Sequence, residues 1–362
     1  MRNIKNLPFY DPEKSYEENF EQGPFGAFSD GEIFSAQGGP ASGWDFLGFK
    51  VNSPFGIAAG PLVNGKFVKA ALDKGFDIPI YKTVRTRSYP CHEWPNVLPI
   101  KMEGNLTLEK MKQGVVVDAD KKKIPDLITN SFGVPSKSPE FWQKDLADAV
   151  RYARPGQVVV GSFQGTTWEK GNTDAYIADF VLGAKLLHET GVKVMEVNLS
   201  CPNEGTGHLL CFDTERTKKI IEAVKREIGD TPLVAKIAYF SNEEDLKNLV
   251  IQIGNLVQAI ASVNTLPAVV LDEKGKQALP GEGRLVSGLC GHAIQWAGLE
   301  MVKKLKKVRE ETNTDFQIIG VGGVTTADDF FTYRNAGADF VMSATGAMWN
   351  SYLARDIKER IR

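Results

Sequence analysis

The stretch Asn198-Leu199-Ser200-Cys201-Pro202-Asn203 concentrates more chemistry than any other part of the chain. Asn198 and Asn203 each offer a donor pair and an acceptor, which suits a flat ring carrying C=O and N–H groups. Pro202 fixes φ just after Cys201 and so sets the thiol at a defined turn. A thiol among amide-reading side chains can be a general base, a nucleophile or inert packing. Taken alone, Cys201 reads as a small buried hydrophobe, and the rest of the chain shifts that reading.

Two lysines stand inside apolar runs, Lys82 in Ile78-Pro79-Ile80-Tyr81-Lys82-Thr83 and Lys236 in Leu233-Val234-Ala235-Lys236-Ile237-Ala238. A buried ammonium is costly unless it meets a partner. The bland alternative for each is a structural ion pair. Gly320-Val321-Gly322-Gly323 and Ala344-Thr345-Gly346 supply backbone N–H groups of the kind that cradle phosphate. Either stretch alone is a tight turn, but the two together point to a phosphate. A cradle, two lysines, several amides and a thiol suit a phosphorylated redox ring such as FMN better than a nicotinamide dinucleotide. A lysine near the flavin N1/O2 edge would stabilise the negative charge of the reduced ring.

These groups need a scaffold that gathers strand ends. Apolar strand-like runs begin near 54, 78, 158, 192, 233, 259, 316 and 340, and most are followed by a helical pattern. Asp213 caps one helix, and Ser241 with Glu244 reads as a capping box for another. A loop is expected after Asn264. Parallel strands buried on both faces give such runs. Eight units favour a (β/α)8 TIM barrel over a doubly wound sheet, and the chain lacks the Gly-x-Gly-x-x-Gly fingerprint of the latter. Residues 1–50 read as an N-terminal extension packing on the barrel, and 51–362 as the barrel itself. An insertion of about 84–127 follows the second strand.

With 362 residues, 42% hydrophobic and 24% charged, the composition is that of an ordinary globular protein. A net charge of −2 makes no case for nucleic acid or an anionic membrane surface. No apolar leader and no stretch of eighteen apolar residues occurs, so a cytoplasmic protein is expected. The four cysteines, Cys91, Cys201, Cys211 and Cys290, show neither metal-ligand nor disulfide spacing, and no metal site is expected.

From about Asn52 to Thr345 the chain resembles the dihydroorotate dehydrogenase family, whose FMN barrel also occurs in dihydropyrimidine dehydrogenase. The resemblance rests on Asn198 to Asn203, Thr129-Asn130-Ser131-Phe132-Gly133-Val134, Tyr81-Lys82-Thr83, Lys236, Val263-Asn264-Thr265 and Gly322-Gly323. It implies a substrate site of Asn130, Phe132, Gly133, Val134, Asn198, Asn203, Asn264 and Thr265. It implies FMN contacts at Ala59, Gly60, Lys82, Thr83, Asn198, Lys236, Val263, Gly291, Gly322, Gly323 and Thr345. Cys201 matches the catalytic base, and Lys82 is counted with it among the catalytic residues; cysteine at the base position resembles the soluble class 1 enzymes, whereas class 2 enzymes carry serine.

The implied reaction oxidises dihydroorotate to orotate in pyrimidine biosynthesis, and the resemblance admits a homodimer. Fumarate, NAD through a partner flavoprotein, and quinone remain open as electron acceptors. Alternatives are an FMN enzyme acting on a related dihydropyrimidine and a non-catalytic flavin-binding relative. The first fifty residues, the 84–127 insertion, the loop after Asn203 and Ser287 to Gly291 depart from the compact family pattern.

Overall fold

The computed structural model describes residues 7–34, 43–119, 125–169, 171–200 and 209–361. Eight parallel strands close into a barrel: β1 (Phe55–Ile57), β2 (Ile78–Val84), β3 (Val160–Phe163), β4 (Val194–Asn198), β5 (Leu233–Lys236), β6 (Ala259–Ser262), β7 (Gln317–Val321) and β8 (Phe340–Ser343). Each strand pairs with its sequence neighbours, and β8 returns to β1 through Val341 opposite Phe55. Helices α1 (Gly65–Asp73), α2 (Pro139–Tyr152), α3 (Thr173–His188), α4 (Thr214–Ile228), α5 (Glu243–Ile253), α6 (Gln295–Thr312) and α7 (Ala327–Ala336) fill the successive crossovers, and α8 (Leu353–Arg360) follows β8. This is the expected (β/α)8 architecture.

The two-residue period of a strand explains how the lumen is built. Ile78 and Ile80, Val158 and Val160, Val194, Val234, Ala259 and Ala261, Ile319 and Val321, and Phe340 and Met342 share one apolar cluster. Phe46 and Leu47, from the hairpin Trp44–Phe46/Phe49–Val51, join that cluster at the N-terminal mouth, with Phe46 edge-on to Phe340. Continuing the same alternation towards the C-terminal ends gives Lys82, Ser162 and Gln164, Glu196 and Asn198, and Lys236, all buried. The lumen is therefore apolar below and polar towards its C-terminal mouth. At β2 the pairing with β3 shifts register between Tyr81 and Val84. Such a bulge re-aims side chains, and here Thr83 reaches Ser162 Oγ at 2.9 Å.

Caps fix where the helices start. The Asn64 carboxamide oxygen accepts from the N–H groups of Lys66 and Phe67 at the start of α1. Asp213 accepts from Arg216 N–H at 3.0 Å to start α4. At α5 the expected Ser241/Glu244 box is not formed. Asn242 caps instead, its side chain accepting from Glu244 N–H at 2.9 Å, because its oxygen lies one residue closer to the first helical turn.

The stretch after Asn264 is not a loop. Leu266–Leu271 and Val286–Cys290 form an antiparallel hairpin, and Val115–Val116 and Ile128–Asn130 flank it to complete a four-stranded sheet. Its strand Leu266–Leu271 alternates between buried and more exposed residues, so its inner face is apolar although the run carries Pro267. Two long connections, after β2 and after β6, thus fold together. The buried Arg284 guanidinium donates to the carbonyls of Glu93, Pro95, Pro280 and Ser131 and so ties them to each other. The N-terminal residues pack on the outer layer: Phe9 stacks on Phe28 with ring centres 4.2 Å apart and meets Phe67 of α1 edge-on. Among the described residues no helix is long and apolar enough to cross a membrane.

Candidate active site

The C-terminal mouth of the barrel gathers polar side chains from several strands. Asn198 ends β4, and its carboxamide lies 3.0 Å from Ser200 Oγ and 3.4 Å from the Asn264 carboxamide. Asn264 and Ser200 Oγ are 2.8 Å apart. On its other side the Asn198 carboxamide is 2.8 Å from that of Gln164. The far end of the Gln164 carboxamide is 2.9 and 3.1 Å from Arg85 Nη2 and Nη1. Arg85 Nε donates to the Val134 carbonyl at 2.9 Å and Nη2 to the Gly133 carbonyl at 3.1 Å. Gly133 and Val134 both have positive φ, +73° and +54°, which for a β-branched residue is strained.

Asn130 ends its strand opposite Gly288, and a Cβ at Gly288 would meet Thr265 Oγ1 at 2.3 Å. Asn130 and Thr265 therefore approach the same glycine, which has to lack a side chain. Phe132 sits under Tyr10 and Tyr16, both edge-on to it, so the N-terminal segment backs this loop. His92 covers Gly133 from outside. Burial and the charges of Arg284 and Arg85 hold its imidazole below the usual histidine range. The Cys91 thiol is pushed up to about 12, mainly by burial, although Lys82 and Arg284 pull it down. It remains a thiol near neutral pH.

One layer deeper lie Lys236 and Glu196, both fully buried. Burial lowers the Lys236 ammonium and raises the Glu196 carboxyl, while each charge opposes the other's shift. Ser162 Oγ donates to Glu196 Oε1 at 3.0 Å, and Oε2 has no hydrogen-bond partner among the described residues. Among those residues no carboxylate lies within ion-pair distance of Lys236, and the charge that acts on it is that of Glu196 on the neighbouring strand.

A second cluster surrounds the ends of β7 and β8. Gly322 and Gly323 have φ of +122° and +70°. A Cβ at Gly322 would meet Val263 Cγ2 at 3.0 Å, and one at Gly323 would meet the His292 carbonyl at 2.7 Å. Gly291 is pressed against the Asp126 carbonyl, and burial pushes the neighbouring Cys290 thiol up to about 11, with Thr345 pulling it back. The structure thus joins Val263, Gly291, Gly322, Gly323 and Thr345 around one set of turns. Ala59 and Gly60 follow β1, adjacent to β8. Cys201 and Asn203 lie outside the described residues. Arg85, Glu196 and His92 did not stand out in the sequence. The signal for Gln164 and Glu196 was their inward register with Ser162 and Asn198.

A closed (β/α)8 barrel with amides, buried lysines and glycine turns gathered at its C-terminal mouth defines the class of barrels whose polar groups collect at that end. The family model described as dihydroorotate dehydrogenase matches residues 117–362. The chain is 35% identical over 359 residues to the dihydroorotate dehydrogenase of Dictyostelium discoideum, covering 96% of each chain. It is 31% identical over 193 residues to the catalytic subunit of dihydroorotate dehydrogenase B (NAD(+)) of Thermodesulfovibrio yellowstonii, covering 53% of this chain and 59% of that one. The corresponding subunit of Pyrococcus furiosus is 28% identical over 243 residues, covering 66% and 73%. The chain belongs to the dihydroorotate dehydrogenase family.

Proposed function

We propose that this chain oxidises dihydroorotate to orotate, with FMN as its resident cofactor and Cys201 as general base. The observation that carries the reading is the convergence of Asn198, Asn264 and the 130–134 loop on one barrel mouth, above the buried Lys236.

The donor set fits the flavin. Gly291, Gly322, Gly323 and Thr345 would hold the phosphate through backbone N–H groups and a hydroxyl, in turns too tight for side chains. Lys82, Thr83 and Lys236 would hold the ring, with Ala59, Gly60 and Val263 packing beside it. When bound there, FMN would supply a two-electron acceptor for the hydride that leaves C6 of the substrate.

The chain supplies the rest. Asn130, Asn198, Asn203, Asn264 and Thr265 pair with the edges of the pyrimidine and fix its plane, with Phe132, Gly133 and Val134 closing over it. Cys201 takes the proton from C5, so that loss of C5–H and C6–H leaves the C5=C6 double bond. Lys82 and Lys236 place positive charge where negative charge collects. Cysteine at the base position supports a class 1-like enzyme.

The test is a spectrum of purified protein followed by anaerobic addition of dihydroorotate and, separately, dihydrouracil. Flavin absorbance, release of FMN on heating, and bleaching by dihydroorotate alone are expected. A protein that takes up no flavin, or one bleached only by dihydrouracil, would overturn the reading.

A further inference from the structure

We propose that Arg85 and Gln164 are positioning residues that decide which hydrogen-bonding edge Asn264 presents to a ring ligand. The inference rests on the reading above that Asn264 contacts the substrate.

The guanidinium of Arg85 is buried and held on every side. Besides the Gly133 and Val134 carbonyls it donates to Thr166 Oγ1 at 2.6 Å, and it lies 4.0 Å over the Tyr89 ring. Its Nη1 and Nη2 both approach one end of the Gln164 carboxamide. Arginine can only donate. If the Gln164 NH2 faced it, two donors would meet at bonding distance beside a full charge, and charge-assisted hydrogen bonds would be lost. Gln164 therefore turns its oxygen to Arg85.

The consequence runs along the chain of amides. The Gln164 NH2 then faces Asn198 at 2.8 Å, so Asn198 must offer its oxygen there. That turns the Asn198 NH2 towards Ser200 Oγ and Asn264, at 3.0 and 3.4 Å. With that polarity Ser200 Oγ would accept from Asn198 and donate to Asn264, 2.8 Å away. The oxygen of Asn264 is thus engaged inside the protein and its NH2 is left to face a ligand. The cost is that the Asn198 NH2 then faces the Ser200 N–H, a fixed donor, at 3.3 Å, which is longer than the donor–donor approach it relieves at Arg85. In a water-poor site such a chain is polarised cooperatively. Asn264 presents donors and selects a ring oxygen; the opposite polarity would present its carbonyl and select a ring N–H.

Gln164→Glu separates polarity from packing. A carboxylate keeps the pairing with Arg85 but can only accept, so Asn198 must donate to it and the chain reverses. Purified full-length protein carrying this change is expected to keep its thermal midpoint. Its orotate affinity, read from the flavin spectrum, is expected to fall by about 10-fold or more. A merely structural role would lower both together. Neutron diffraction from perdeuterated crystals reads the polarity without any ligand, and the deuterated nitrogen of Gln164 should face Asn198. Unchanged orotate affinity in Gln164→Glu, or that nitrogen facing Arg85, would overturn the proposal. An unmutated protein that ignores orotate yet shows the expected nuclear density would fault the substrate reading and support the polarity.

Discussion

Lys236 and Glu196 sit on neighbouring strands inside the barrel, and burial drives each towards its neutral form. Only their mutual attraction, and the Ser162 bond to Glu196, work against that drive. A lumen holding both groups is adapted to a ligand that stabilises a cation, as the anionic form of a reduced flavin would.

Replacing Lys236 by alanine should therefore weaken flavin retention or slow flavin reduction by at least ~10-fold, about 1.4 kcal/mol. Flavin-to-protein absorbance ratios and anaerobic stopped-flow measure this. Wild-type flavin content together with wild-type kinetics would make Lys236 a structural residue.

Glu196 should leave a signature in stability against pH. Its folded pKa is raised above the usual value of 4.5, so the native state holds a proton that the unfolded state releases. Stability should then fall as pH rises from that usual value through the folded one, by up to about 1.4 kcal/mol per pH unit for one proton. Urea unfolding across pH should show this slope, and Glu196→Gln should remove it. Identical slopes in the two proteins would sink the assignment.

Gly133 combines a φ of +73° with the His92 imidazole 2.3 Å from where a Cβ would stand. Gly133→Ala should destabilise the protein by about 1–3 kcal/mol and push His92 outward. The urea midpoint checks it; an unchanged midpoint would mean that the loop accepts the methyl freely.

Cys201→Ser should keep flavin and orotate binding but slow flavin bleaching by dihydroorotate, with the residual rate climbing as pH rises. Cys201→Ala should be slower still, since general-base help is typically worth ~10²–10⁴-fold. Stopped-flow bleaching of the three proteins across pH decides this. Equal rates would remove Cys201 from the mechanism, and a covalent adduct on the pathway would make it a nucleophile.

The barrel was legible in the sequence because strands buried on both faces must be apolar throughout, and eight such runs recur with helices between them. Lys82, Lys236 and the glycine turns were legible for a related reason: a charge in an apolar strand, or paired glycines at a strand end, conflicts with packing alone. The accessory sheet was not legible, because its four strands come from two connections more than a hundred residues apart and are short or interrupted by proline. Nor could spacing reveal that Arg85 holds the carbonyls of Gly133 and Val134 and meets Gln164. Those contacts, with the one to Thr166, span 48 to 81 residues and exist only because the barrel brings the ends of β2 and β3 beside the 130–134 loop. Local sequence determined which side chains face inward. Tertiary closure alone decided which of them touch, because hydrogen-bond partners are chosen by distance and direction in space, to which order along the chain is blind.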